Sequence, residues 1–228
     1  MPCFILLLLA FAAYGQQKGM AIVNTVDNRD DKKYKTVKIG KHVWMAENLN
    51  YNANGSRCYD NKPANCAKYG RLYDWETARK ACPKGWHLPN HKELTQLMES
   101  IGDSDGTYER SMESTNVPKI KSSIIRGDYS TAGSKLKTKD GWDESGNGKD
   151  TYGFSALPGG LYWAEEGEFH AVGGWGLWWI DDICYDFESL DDVEKFVCYM
   201  AMSHNTGNVQ SGGGFDSSDL LSVRCLKD

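Results

Sequence analysis

Histidine is scarce in this sequence and clustered positive charge is missing, and each shortage excludes a class of function. Of the 5 histidines, only His87 and His91 are near neighbours, and Pro89 between them breaks the helical i, i+4 geometry that a metal pair would use. No metal site is therefore expected, and His42, His170 and His204 read as isolated surface or strand residues. The 26 lysines and arginines are outnumbered by 31 acids, giving a net charge of -5 and a pI of about 5.6. Lys32, Lys33, Lys35, Lys38 and Lys41 are interleaved with apolar positions and acids rather than gathered into a stripe, so nucleic acid is excluded as a partner. No Gly-x-Ser-x-Gly elbow occurs, and Ser211-Gly-Gly-Gly lacks the strand-to-helix context of a phosphate cradle, which argues against hydrolase and nucleotide readings. No internal repeat is found, and the one long apolar run, residues 4–13, is too short to span a membrane.

That run is followed by Ala13-Tyr14-Gly15, a small-x-small site, and residues 1–15 read as a secretory signal peptide without a positive n-region. Cys3 precedes the run instead of following it, so a soluble exported or surface-retained protein is expected, with no transmembrane helix in the mature chain. Residues 16–35 are polar and read as a flexible lead-in, and residues 36–228 are long enough for one domain with its own core. Six cysteines then remain: Cys58, Cys66, Cys82, Cys184, Cys198 and Cys225. An even count behind a leader argues for disulfides, although sequence alone leaves their pairing open.

Residues 34–49 read as a hairpin in which Val37 and Ile39 alternate with lysines and Gly40-Lys41 supplies the turn. Residues 72–98 form a compact helical unit. Trp75 and Ala78 share an inward face, Pro83 and Gly85 end the first helix, and Asn90 with Glu93 makes a capping box for the second, whose stripe is Leu94, Leu97, Met98 and Ile101. Residues 102–129 are charged and Ser/Thr-rich and read as an irregular insertion. From Tyr152 onward, short apolar runs alternate with Gly-rich turns, the pattern of antiparallel strands joined by long loops. Helices early and strands late define an α+β fold.

Five phrases, CYDNKPANCAKYGRLYDW, ACPKGWHLP, GSKLK, YGFSALPGG and SVRC, occur in an order that resembles the Fibrobacter succinogenes major paralogous domain family from about Thr36 onward. The helical unit also resembles, at the level of fold, the formylglycine-generating sulfatase-modifying family. That resemblance implies a C-type-lectin-like fold, with two early helices on antiparallel strands and disulfide staples. It further implies pairing of Cys82 with Cys225, the first helix to the last strand, and of Cys184 with Cys198. Cys58 with Cys66 is the local pair around Pro63.

The candidates for chemistry are modest. Asp143, Ser145, Asn147, Gly148 and Asp150 resemble the first half of a calcium loop, but Phe154 occupies the twelfth position, so a plain turn is expected. The pairs Glu165-Glu166 and Asp181-Asp182 each consist of adjacent residues, which face opposite ways on a strand, so glycoside hydrolysis is not favoured. Trp179-Ile180-Asp181-Asp182 has Ile where a calcium-dependent lectin has an amide ligand. What remains is an aromatic cluster of Tyr162, Trp163, Trp175, Trp178, Trp179 and Tyr185. Trp163 and Trp178 are the expected core members. Trp175, among glycines, is the expected exposed anchor, and Trp179, Tyr162, Tyr185, Asp181 and Asp182 complete the candidate ligand-binding set on loops at about 164–176, 181–194 and 203–219. The reading is a non-catalytic, cofactor-free module that binds a polysaccharide or a surface protein. Its alternatives are an enzyme of the sulfatase-modifying fold, which a spare cysteine would favour, and a structural surface component without a soluble ligand.

Overall fold

The computed structural model describes residues 20–103, 124–185 and 195–228. The leader expected at residues 1–15 lies outside them. In chain order the elements are β1 Met20–Asp27, β2 Lys32–Ile39, β3 His42–Met45, α1 Pro63–Tyr69, β4 Leu72–Tyr73, α2 Trp75–Ala81, β5 Trp86–His87 and α3 His91–Ser100. There follow β6 Ile124–Tyr129, α4 Ala132–Leu136, β7 Leu161–Trp163, β8 Glu168–His170, β9 Trp175–Tyr185, β10 Lys195–Ser203, β11 Val209–Phe215, β12 Leu221–Ser222 and β13 Leu226–Lys227. The class is α+β, mostly strand, as expected.

The part of the lead-in from Met20 to Lys35 is not a loose segment: β1 and β2 pair antiparallel there, from Asp27 opposite Lys32 back to Met20 opposite Lys38. Two side chains explain the order. Asp27 is fully buried because Arg29 grips it through Nε at 2.8 Å and Nη2 at 2.6 Å, while Arg29 also donates to the carbonyl of Ala81 at the end of α2. Tyr34 turns inward, and its hydroxyl accepts from the backbone N–H of Asn50 at 3.0 Å. Polar composition concealed these inward anchors.

The hairpin β2–β3 turns at Gly40, whose φ of 59° suits glycine. Its sheet has the order β1-β2-β3-β13-β5, so a strand from the end of the chain sits between β3 and β5. The second sheet, β4-β12-β9-β10-β11-β6, is antiparallel except where β12 meets β9. The insertion expected at 102–129 ends in β6, an edge strand of this sheet, and residues 104–123 lie outside the described set.

Both faces of β9 are covered, which explains its nearly continuous apolar run. Trp178 and Ile180 join Trp44, Leu94, Leu97 and Met98 on one side. Trp175, Leu177 and Trp179 join Tyr73, Trp75, Ala78 and Phe215 on the other. Helices α3 and α2 thus occupy opposite faces of one strand. The capping box forms as expected, with Asn90 accepting from the Glu93 N–H and Glu93 accepting from the Asn90 N–H. Leu72, read as helical, instead forms β4, because the N-cap is Asp74, whose Oδ1 accepts from the Thr77 N–H at 2.9 Å.

The three disulfides are those expected: Cys58–Cys66, Cys82–Cys225 and Cys184–Cys198.

Candidate binding cleft

The candidates chosen from sequence do not gather at one place. Trp175 opens β9 and is only 8% exposed, so it is a core residue rather than a displayed anchor. The glycines around it serve close approach: a Cβ on Gly176 would lie 2.4 Å from the Trp178 ring, and one on Gly173 would lie 2.5 Å from an Asp143 carboxylate oxygen. The glycines mark dense packing, Gly173 and Gly174 in the turn before β9 and Gly176 within the strand. Trp179 is also buried, donating its indole N–H to the Tyr73 carbonyl at 2.7 Å. Of the two expected core members, Trp178 is buried and Trp163 is half-buried beside Phe215.

Asp181 and Asp182 have structural partners. Asp181 accepts from Arg79 Nε of α2 at 2.7 Å, and Asp182 accepts from the backbone N–H of His91, the first residue of α3, at 2.6 Å. The two adjacent acids therefore fasten the two helices to β9, the second at a helix start where negative charge is favoured. Tyr185 closes β9 opposite Lys195, and its side chain lies outside the described residues. In the calcium-like phrase, Asn147 accepts from the Trp142 N–H, and Asp150 accepts from both the N–H and the hydroxyl of Ser155 at 2.8 Å. These side chains organise their own turn.

Tyr162 is different. It lines an open cleft of about 490 Å³ together with Arg57, Asp74, Glu76, Ser217, Ser218 and neighbouring Gly55, Ala164 and Leu220. The Arg57 guanidinium lies 4.4 Å from the centre of the Tyr162 ring, and the Phe169 ring is inclined to it at 4.9 Å. Next to this cleft is a smaller hollow of about 250 Å³ lined by Tyr51, Asn54, Thr77 and Lys80, and Glu76 belongs to both. Arg29 stacks 3.8 Å above Tyr51. Helix α2 therefore runs beside two neighbouring hollows, each with a tyrosine braced by an arginine.

Three devices fix the walls. Residues 51–58 are drawn together by Arg71, whose guanidinium donates to Ser56 Oγ at 2.9 Å, to Asn52 Oδ1, and toward both sulfurs of Cys58–Cys66 at 3.3 and 3.2 Å. Arg57 itself exchanges two 2.9 Å backbone hydrogen bonds with Leu72. On the opposite wall, buried Asp219 accepts from the Ala164 N–H at 2.9 Å and from the Asp216 N–H at 3.0 Å, joining the β7–β8 hairpin to the loop before β12. Burial pushes the Asp219 carboxyl up, whereas hydrogen bonds from the backbone and hydroxyl of Ser218 hold Asp216 down. The Trp75 N–H, donating to the Ser217 carbonyl at 3.0 Å, ties that loop to the start of α2.

Ser217 and Ser218 lie in the candidate loop at 203–219, whereas Arg57, Asp74 and Glu76 were not among the candidates. Glu76 is exposed on α2, and helical spacing says nothing of the wall that faces it. Asp74 carried a visible N-cap signal. The pairing of an early loop with residues 217–218 is a long-range contact that no local pattern announces. Chemically, the cleft offers one aromatic side chain, one cation, two carboxylates and two hydroxyls in a shallow, solvent-open setting.

A family model described as the Fibrobacter succinogenes major domain matches residues 37–227, and the chain belongs to that family. No curated protein and no solved structure matches it.

Proposed function

We propose that this member of the Fibrobacter succinogenes major domain family is an exported, non-catalytic binding module of C-type-lectin-like fold that holds a glycan in the cleft around Tyr162. The observation that carries the reading is the make-up of the cleft. An aromatic side chain braced by Arg57 and Phe169 stands among Asp74, Glu76, Ser217 and Ser218, the combination of flat apolar surface and hydrogen-bonding groups that suits a polyhydroxylated ligand. Its walls are held before any ligand arrives by a disulfide, Arg71 and Asp219, which lowers the ordering cost of binding. Three disulfides favour an oxidising compartment. The enzyme alternative is weakened because Cys225 is joined to Cys82 and every cysteine among the described residues is paired.

The test is retention of the protein on insoluble plant and bacterial polysaccharides, followed by a glycan array. Tyr162→Ala and Glu76→Gln should each weaken retention by about tenfold, equivalent to about 1.4 kcal/mol, with the melting temperature little changed for Glu76→Gln. Retention that both substitutions leave unchanged would remove the cleft from consideration. Retention lost only with a purified surface protein as bait would move the reading to a protein ligand.

A further inference from the structure

The β7–β8 hairpin carries a second constellation, separate from the lining of the cleft. Glu168 and His170 are two residues apart on β8 and so share one face of the strand, and Glu166 lies in the turn just before them. His170 Nε2 is 3.3 Å from Glu166 Oε2 and 4.0 Å from Glu168 Oε2, and one ligating atom from each of the three residues falls within 4.8 Å of the others.

We propose that Glu166, Glu168 and His170 bind a borderline divalent metal ion of the zinc class. The argument turns on the imidazole nitrogen. His170 Nε2 is shielded from solvent and makes no hydrogen bond among the described residues, although two carboxylates converge on it. An N–H···O bond would bring nitrogen and oxygen to about 2.7–3.2 Å in line. A tetrahedral ion with a Zn–N distance of about 2.05 Å and Zn–O of about 2.1 Å instead holds nitrogen and oxygen about 3.4 Å apart. The Glu166 separation falls between the two values, and the contact is not aligned as a hydrogen bond. Glu168 needs to close by about half an ångström, and its side chain is 70% exposed and free to turn.

His87 shows what an ordinary histidine–carboxylate cluster looks like in the same protein. Its Nδ1 meets Asp228 at 2.7 Å and its Nε2 meets Glu93 at 3.0 Å. Each nitrogen is satisfied by a different acid, and no gap remains for an ion. At His170 both acids crowd one nitrogen. An imidazole with two carboxylates favours zinc, cobalt or nickel, whereas calcium takes oxygen ligands alone. With three protein ligands, the fourth position of the ion faces solvent.

The experiment is isothermal titration of the full chain with zinc chloride at neutral pH, with calcium chloride in a parallel run. One ion per chain is expected. His170→Ala and Glu168→Gln should each weaken binding by about tenfold or more, while His87→Ala leaves it unchanged. Circular dichroism confirms that each variant is folded, and the exposure of Glu168 makes Glu168→Gln the safer of the two. Absence of zinc binding, zinc binding that survives both substitutions, or calcium binding of equal strength would each overturn the proposal.

Discussion

Asn48 Oδ1 accepts two hydrogen bonds from the Arg224 guanidinium, from Nε at 3.1 Å and Nη2 at 2.6 Å. The same oxygen accepts from the Trp178 indole at 2.9 Å, and Asn48 Nδ2 donates to the Tyr69 carbonyl at 2.8 Å. Arg224 is 1% exposed and has no direct carboxylate partner among the described residues. Its remaining donors reach the carbonyls of Met45, Phe154 and Ser155. Burial pushes its pKa down to about 9, which leaves it charged at neutral pH. A buried cation is thus solvated by an amide and by backbone dipoles.

The first prediction follows. Asn48→Ala removes the shared acceptor and should cost about 3–5 kcal/mol, because it strands a charge that water cannot reach. Asn48→Asp keeps the oxygen and should cost less. Urea unfolding of the two variants checks the order, and equal losses would show that the oxygen is not the important atom.

Trp175→Ala is expected to act on stability. Removing an indole from a site that is only 8% exposed should cost about 3–5 kcal/mol and lower the melting temperature by roughly 10 °C. A melting temperature within a few degrees of the parent protein would place Trp175 outside the core.

How far the sequence could be read depended on the range of the interaction. The capping box of Asn90 and Glu93 and the β2–β3 turn at Gly40 lie within a few residues, and both were legible. The bridge from Cys82 to Cys225 was reached only through resemblance to a family. Trp175 was misjudged because glycines beside an aromatic residue have the same composition in a loop and in a strand under a large ring. Only the position of the Trp178 ring over Gly176 separates the two cases. The cleft was half legible: Tyr162 was among the candidates, but Arg57 and Ser217 reach it from distant parts of the chain, one before it and one after it. Of the Glu-x-Glu-x-His pattern at 166–170, Glu168 and His170 fit a period of two, but Glu166 comes from the turn, which spacing alone does not place beside them.

The disulfides should differ in value. By the loop-entropy relation, Cys82–Cys225, closing a separation of 143, contributes about 5 kcal/mol, and Cys58–Cys66, closing 8, contributes about 2.5 kcal/mol. Paired replacement by alanine should preserve that ranking in denaturant midpoints. A larger loss from the 58/66 pair would mean that its contact with Arg71 outweighs loop closure.

His87 predicts a pH dependence. Burial alone would lower its pKa, but the hydrogen bonds to Asp228 and Glu93 outweigh that and raise it. A raised folded value stabilises the fold fully below the unfolded pKa of about 6.5, and the contribution is lost as pH rises through the folded value. The ring is more than a third exposed, so the effect should stay below about 1 kcal/mol. The stability gap between the parent and His87→Gln should therefore be larger near about pH 5 than near about pH 8 in urea titrations. A gap that widens with pH would reverse the assignment.

Strand β13 has a consequence for the order in which the protein can be made. Leu226 pairs with Trp44 on one side and His87 on the other, and the Met45 N–H donates to the Cys225 carbonyl at 3.0 Å. During synthesis, β3 and β5 emerge long before the strand that must lie between them. Until Leu226 follows, both present unpaired edges, and Cys82 waits with a free thiol for Cys225. Folding is then limited by the arrival of the chain's far end, and a stalled or clipped chain would expose two sheet edges and a reactive sulfur together, a combination that invites aggregation and mixed disulfides.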